Sequence, residues 1–503
     1  MPIPATAALT VLVNAFMSLC DPPLSGIWQP HAAGTADGGL RLSRDAIGHK
    51  SLYWTQLPDR SVIFASTMQQ VLADARVPRQ LNRDAVPLYL ACAYVPGSQT
   101  LVQGVHALPP GHALQVAPDG QIDIQPFWQL PPSPQVYQTE QELLPILRDG
   151  LLAAVQRALP DGQTPVAATL SGGIDSSLVL ALARHLHPGD VQSLSVHFGR
   201  GHKNELDFSS SVAAHLKVPQ TLVEVTTADI AAHFDVTVGA LSEPNGDPLT
   251  VPNYLLFQRA ASLSPLVLNG EGGDPCFGGP KNAPMLLAEL LADDAELGDF
   301  HRESSYLSAH QRCYDDLAAM LHPEMLDTLR DHAVERIVTP WFIDKRWPKL
   351  LDQLMALNIT WKGAHHILPK IEALSRPHGV VGRSPLFDRQ VVELSFQIPA
   401  HGKRRGAVEK YLLKEMARQW LPQAIVDRPK SGMLVPVEHW FNGPLLPFAR
   451  QRLLDGLAPR RIVRKQWLEA LLDAKLGGLR PRRGIKIWLL LTLEAWLRNV
   501  LDK

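Results

Sequence analysis

The chain has 503 residues, more than one hydrophobic core usually serves, so two or more domains are expected. Lys and Arg number 48 against 49 Asp and Glu, a net charge of −1, which gives no global electrostatic case for nucleic acid. The four cysteines (Cys20, Cys92, Cys276, Cys313) lie in no close pair, a spacing that suits neither a disulfide framework nor a zinc site and fits a reducing cytoplasm.

The opening stretch "MPIPATAALTVLVNAFMSLC" is apolar, but it lacks a basic n-region and is interrupted by Asn14 and Ser18. It reads as a buried first strand and not as a signal peptide or a membrane span. "SLYWTQLPDRSVIFAS" has a hairpin pattern around Pro58-Asp59. "NRDAVPLYLACAYV" reads as a helix capped near Asn82. "GVHALPPGHALQVAPDGQIDIQPFW" reads as two short strands with a turn at Asp119-Gly120. Residues 1–128 are therefore expected to form a β-rich domain. The proline-rich 129–138 reads as a linker and 139–503 as a second domain.

From residue 139 helix and strand alternate. A helix over "EQELLPILRDGLLAAVQRAL" leads to a strand "PVAATL". Then follow "VQSLSVHF" (strand), "ELDFSSSVAAHLKV" (helix), "TLVEVT" (strand), "NYLLFQRAASL" (helix) and "PLVLNG" (strand). That rhythm predicts an α/β domain with a parallel sheet. Beyond about residue 285 the chain reads as mostly helical. The clusters "PRRIVRK" and "RPRRGIK" read as solvated helix faces. The final "IWLLLTLEAWLRNVL" reads as an amphipathic helix with Glu494 and Arg498 one turn apart.

"TLSGGIDSSLVLALARHL" stands between a strand and a helix, where open parallel sheets bind ligands. Glycines there let backbone N–H groups close on phosphate oxygens, and the helix start adds partial positive charge. Leu170, Ser171, Gly172, Gly173, Asp175 and Ser176 are the expected phosphate-binding residues. Asp175 repels a bare phosphate, so its place is as a ligand of phosphate-bound magnesium. The loop lacks the GKS/GKT ending of a Walker motif.

"SGGIDSS" resembles the pyrophosphatase-type (PP-loop) sequence of the asparagine synthetase-like family, whose members cleave ATP between the α and β phosphates. The family converts a carboxylate to an acyl-adenylate, and an amine displaces AMP. "LVLNGEGGDPCFGG" resembles the family's second acidic loop. There Gly270 and Glu271 are expected at the nucleotide, Asp274 beside Asp175 as the second Mg2+ ligand, and Glu271 as a general base or positioner of the amine. Pro275 departs from the family's usual Glu. "GRSPLFDRQVVELSFQIP" resembles another segment, in which Arg383 either contacts phosphate or pins a loop to Asp388. Val381 replaces a Glu that asparagine synthetases carry. "EKYLLKEMARQWLPQAIVDRPKSGM" matches too, and by resemblance Lys430 stabilises charge at the α-phosphate or the acyl carbonyl. Val196, at a strand end, is expected to edge the nucleotide.

"LYWTQLPDRSVIFASTMQQVLA" and "GVHALPPGHALQV" resemble the family's glutaminase-type (Ntn) domain, expected as an α+β sandwich. That activity needs a cysteine after Met1, where this chain has Pro2, and Cys20 is a poor substitute. The resemblance therefore implies an inert amidotransferase-like domain and an amine from the substrate itself. Members without the cysteine include lasso-peptide macrolactam synthetases, which this chain resembles most, and β-lactam synthetases, which carry Tyr at the position of Glu271. The implied cofactors are ATP and Mg2+. The implied partners are a leader-free precursor peptide and a leader peptidase of the same pathway, with no nucleic acid and no membrane. The alternatives are an ammonia-dependent asparagine synthetase, another small-molecule amide ligase, and a non-catalytic nucleotide-binding scaffold.

Overall fold

The computed structural model describes residues 10–11, 25–29, 39–199, 201–291, 299–429, 433–476 and 482–503. Pro2, Cys20 and Lys430 lie outside the described residues, as does most of the apolar opening stretch. Of that stretch Thr10–Val11 is described, and it pairs parallel to Arg41–Leu42.

The amino-terminal part holds two four-stranded sheets. In one, His112–Val116 pairs antiparallel with Leu40–Ser43 and with Ile122–Pro126. In the other, Val62–Ala65 pairs antiparallel with Tyr53–Gln56 and Ser25–Trp28, so both expected hairpins form. Leu42, Leu114 and Val116 from the first sheet share a small core with Val62 and Phe64 from the second, which makes a sandwich. The opposite side of the second sheet, with Tyr53, Ile63 and Ala65, enters the large core that continues into the rest of the molecule. The helix Ala85–Cys92 is buried along its whole length. Its start differs from expectation: Asn82 donates its side-chain amide to the Thr100 carbonyl (2.9 Å), and Asp84 takes the cap position without a side-chain bond.

The segment 129–138 is pinned, not a free linker. Ser133 donates its N–H to the Arg346 carbonyl (3.0 Å) and its hydroxyl to Asp352 (2.9 Å). Trp347 Nε1 donates to the Pro131 carbonyl (2.9 Å). The helix Glu140–Ala158 then opens on a capping box, Thr139 with Glu142.

A five-stranded parallel sheet follows. Its strands are β1 (Val166–Thr169), β2 (Val191–His197), β3 (Gln220–Glu224), β4 (Leu266–Leu268) and β5 (Val381–Arg383), in the order β3-β2-β1-β4-β5. β1 and β4 are apolar and buried on both sides, as helix-covered parallel strands must be. The chain builds outward from β1 in one direction and then returns to β1's other side. The crevice of such a sheet opens where the order reverses, here between the ends of β1 and β4. After β4 the chain is mainly helical, apart from β5 and a short hairpin, Arg404–Arg405 with Val408–Glu409.

The closing helix Arg483–Trp496 differs from its expected amphipathic form. Nearly every residue is buried, Glu494 included, and Arg452 and Arg498 bracket that carboxylate. The basic clusters also turn out to be engaged. Arg483 caps the Leu471 and Phe441 carbonyls, Lys486 pairs with Asp316 (2.5 Å) and Arg461 with Glu324 (2.8 Å). Among the described residues no helix is long and apolar enough to cross a membrane.

Candidate active site

The loop after β1 turns sharply into the helix α1 (Ile174–Leu186). Gly172 sits at φ +77°, and a Cβ there would lie 2.6 Å from the Ser209 N, so only glycine fits. The serines brace the turn. Ser176 Oγ accepts from the Ser171 N–H (3.2 Å) and donates to the Gly173 carbonyl (3.2 Å), while Ser171 Oγ accepts from the Gly173 N–H (3.3 Å). Leu170 is spent differently. Its N–H donates to the Leu194 carbonyl (2.7 Å) and its own carbonyl accepts from Ser195 Oγ (2.6 Å), so it bounds the cleft with no backbone donor to offer.

The second loop, after β4, packs directly against the first. A Cβ on Gly270 would meet the Ser176 N at 2.4 Å, one on Gly273 would meet Asp175 Oδ1 at 2.2 Å, and one on Gly279 would meet Asp274 Oδ1 at 2.5 Å. These glycines bring two carboxylates together. Asp175 lies in the first turn of α1 and Asp274 in the first turn of the short helix α2 (Gly273–Phe277).

Between them stands a residue that the sequence reading did not single out. Lys410 Nζ lies 2.6 Å from Asp175 Oδ2 and 2.5 Å from Asp274 Oδ1, and its side chain has no solvent exposure. Lys410 adopts a left-handed backbone (φ 53°) just ahead of the helix Tyr411–Ala417, which turns the ammonium inward. Two adjacent carboxylates without a cation repel each other, and the ammonium removes that repulsion.

The two loops open on a cleft of about 630 Å³. It is lined by the predicted Leu170, Ser171, Gly173, Asp175, Ser176, Val196, Gly270, Glu271 and Asp274. Gly172 does not line it and acts through its backbone bend. Val196 also edges an adjoining pocket of about 340 Å³ with His197, Phe198 and Phe208. Arg428 closes that side: it lies 3.7 Å over the Phe208 ring, pairs with Glu205 and donates to the Gly172 carbonyl (3.4 Å).

Glu271 faces the cleft from the loop, its N–H held by Asn269 Oδ1 (3.1 Å). Beyond it Lys370 pairs with Asp247 at 2.5 Å, and the ammonium with its companions holds the Asp247 carboxyl below the usual range despite the opposing cost of burial. Arg383 does neither of the things expected of it. Its guanidinium donates to the Ala158 carbonyl (2.8 Å), and Asp388 is taken by Arg157 (2.7 Å). Val381 belongs to β5 and packs on the core without lining the cleft.

Among the described residues no cluster of three or more His, Cys, Asp or Glu side chains is placed to hold a metal. Two carboxylates are donors of the kind that Mg2+ takes, and Lys410 already holds one oxygen of each.

The asparagine synthase family matches residues 146–498, and the glutamine amidotransferase domain family matches residues 10–128. The chain is 25% identical over 483 residues to the glutamine-hydrolysing asparagine synthetase 1 of Bacillus subtilis, covering 92% of this chain and 75% of that one. It is 24% identical over 448 residues to a putative glutamine-hydrolysing asparagine synthetase of Mycobacterium tuberculosis, covering 83% and 67%. It is 26% identical over 343 residues to the carboxyethyl-arginine beta-lactam-synthase of Streptomyces clavuligerus, covering 67% and 53%. With a glycine-lined phosphate loop and a second acidic loop meeting at the sheet's switch point, and with the family match spanning most of its length, this chain belongs to the asparagine synthase family of ATP-dependent, amide-forming ligases.

Proposed function

We propose that the chain activates a carboxylate as an acyl-adenylate and captures it with an amine of the same substrate, closing a macrolactam ring on a leader-free peptide. The observation that carries the adenylation chemistry is the Asp175–Lys410–Asp274 cluster at the end of the glycine loop. In this reading the backbone from Gly172 to Gly173 and the hydroxyls of Ser171 and Ser176 cradle the departing pyrophosphate. Asp175 and Asp274 would hold an Mg2+ that comes with the nucleotide, and that ion would offset charge on the phosphate oxygens. A substrate carboxylate oxygen attacks the α-phosphorus and pyrophosphate leaves. The amine then attacks the acyl carbon, AMP leaves, and Glu271 takes the proton that the amine sheds. Lys430 supplies a further cation where negative charge grows.

The finer choice of a peptide is supported by the proline after Asp274 and by the size of the cleft, about 630 Å³. Such a peptide is freed by a leader peptidase, which makes that enzyme the expected partner. A second reading, closure of a small-molecule lactam, is favoured by the likeness to the Streptomyces clavuligerus enzyme. The test is ATP–pyrophosphate exchange with a panel of carboxylates, followed by mass spectrometry of the products. Exchange with a peptide bearing an internal Asp or Glu, and a product lighter by one water, is the expected result. Exchange with free aspartate, or only with a small amino acid derivative, contradicts the peptide reading.

A further inference from the structure

His366 lines the cleft that Glu271 faces and is only 6% exposed. It stands near the end of Asn358–Ile367, a helical stretch of the rare wide π form that gathers at functional sites. Two contacts fix it in place. The imidazole stacks on the Tyr94 ring, with centroids 5.0 Å apart and planes 23° from parallel, and the His366 carbonyl accepts from Asn245 Nδ2 at 2.9 Å. Neither contact uses a ring nitrogen. Nδ1 and Nε2 are both buried, and among the described residues neither has a hydrogen-bond partner. Buried polar atoms left unpaired cost folding free energy, and a role in catalysis is one reason they are kept.

The surroundings decide which form of the ring is present. Burial holds the imidazole well below the ordinary histidine range, Lys370, Lys362 and Arg312 lower it further, and Asp247 opposes them. The other charged groups lining the cleft are Asp175, Asp274, Glu271, Glu438 and Arg482. A neutral imidazole presents one N–H and one lone pair. The burial and the cations that keep the ring neutral act in the same way on an amine docked against it, because they disfavour its ammonium form. Only the neutral amine has a lone pair with which to attack an acyl carbon.

We propose that His366 receives the nucleophilic amine of the substrate: its ring lone pair accepts an N–H bond and so directs the amine's own lone pair at the acyl carbon. This rests on the reading of the cleft as an adenylation site. As the C–N bond forms, the bond from the acyl carbon to the AMP oxygen breaks, and the proton that the nitrogen sheds goes to Glu271. His366 touches the substrate in this step but does not keep its proton.

The probe is a synthetic peptide with a free N-terminal glycine and one internal glutamate, given to the full chain with ATP and Mg2+. Rapid-quench single turnovers resolve the acyl-adenylate from the ring product. In His366→Phe, which keeps the stack on Tyr94 and loses both nitrogens, adenylate is expected to accumulate while its conversion to the ring slows at least about a hundredfold, the order expected when a reacting group is misplaced. His366→Gln keeps a donor and an acceptor and is expected to recover at least about a tenth of the wild-type conversion rate. A merely structural histidine would slow formation and conversion of the adenylate together. The wild-type pH profile judges the assignment without any variant. From about pH 8 down to about pH 6 the conversion rate is expected to fall less than about threefold, although a free α-amine loses about fortyfold of its neutral form over that range. Undiminished conversion in His366→Phe, or a wild-type profile that follows the free amine, overturns the assignment and leaves the ligase reading standing. Absence of ATP–pyrophosphate exchange with every carboxylate sinks the ligase reading and this assignment with it.

Discussion

Lys410 carries the electrostatics of the site at the residue scale. It neutralises Asp175 and Asp274 from a position 235 residues away from the first of them. Removing one partner of a buried ion pair leaves uncompensated charge and typically costs about 3–5 kcal/mol. Lys410→Met is therefore expected to lower the midpoint of thermal unfolding by several degrees and to reduce ATP–pyrophosphate exchange at least about a hundredfold, two pKa-sized steps in transition-state energy. A Lys410→Met enzyme with wild-type exchange would show that the ammonium serves packing alone. Asp175→Asn and Asp274→Asn are each expected to abolish adenylation, and full activity in either refutes the magnesium assignment. The sequence exposed the two aspartates because each sits in a glycine loop at a strand end. It hid Lys410 because nothing local marks the single left-handed residue that turns its side chain inward. Arg383 misled for the opposite reason: its motif suggested a phosphate contact or a loop pinned to Asp388, yet its Nη1 donates to the helix end at Ala158.

Glycine requirements set the rules for whole elements. The loops after β1 and β4 approach so closely that Gly270 and Gly273 admit no Cβ without displacing the Ser176 backbone or Asp175. Gly273→Ala is expected to push the Asp175 carboxylate off its partner and cost about a hundredfold or more in exchange, since small displacements of positioning groups have effects of that order. Gly201→Ala, where a Cβ meets nothing within 4 Å, is the control and is expected to leave exchange unchanged. Equal exchange in both variants would show that the close approach of the loops is not needed. At this scale the sequence was most readable, because the alternation of strand and helix and the turn glycines are local signals. β5 was the exception. Val381–Arg383 is too short to declare itself and becomes a strand only because β4 offers an edge. The last helix misled as well. Its charged pair suggested a solvent face, but Glu494 is buried, with Arg498 bonded to one oxygen and Arg452 3.8 Å from the other.

Across the whole molecule the sandwich and the synthetase part share one continuous core, so the amino-terminal part is a built-in wall of the fold. Tyr89 donates its hydroxyl to the Leu489 carbonyl at 2.8 Å, and Arg44 donates to the Ala364 carbonyl at 2.6 Å, tying the two parts together. This junction was not legible in the sequence, because the partners lie hundreds of residues apart. Glu243 sits there with Oε2 accepting from the Leu101 N–H (3.1 Å) and Oε1 closed off from solvent. Burial pushes its carboxyl up to about 8. The folded protein thus holds a proton that the unfolded chain releases near the ordinary Glu value of about 4.3. That contribution is complete below the unfolded pKa and is lost as pH rises through about 8. His365, in the same junction, has its pKa depressed by burial and acts in the opposite sense, so the comparison must be with Glu243→Gln. Between pH 5 and pH 9 (from just above the unfolded pKa to roughly one unit above the folded one) the wild type is expected to lose thermal stability relative to Glu243→Gln. A constant difference between the two proteins would contradict this.

Cleavage of ATP at its α-phosphate beside Asp175, Asp274 and Lys410 is the step proposed for this cleft. The most direct test is to resolve the nucleotide and phosphate products of carboxylate-dependent ATP turnover. AMP and pyrophosphate in equal amounts, lost together in Asp274→Asn, are the predicted result; ADP and orthophosphate would contradict it.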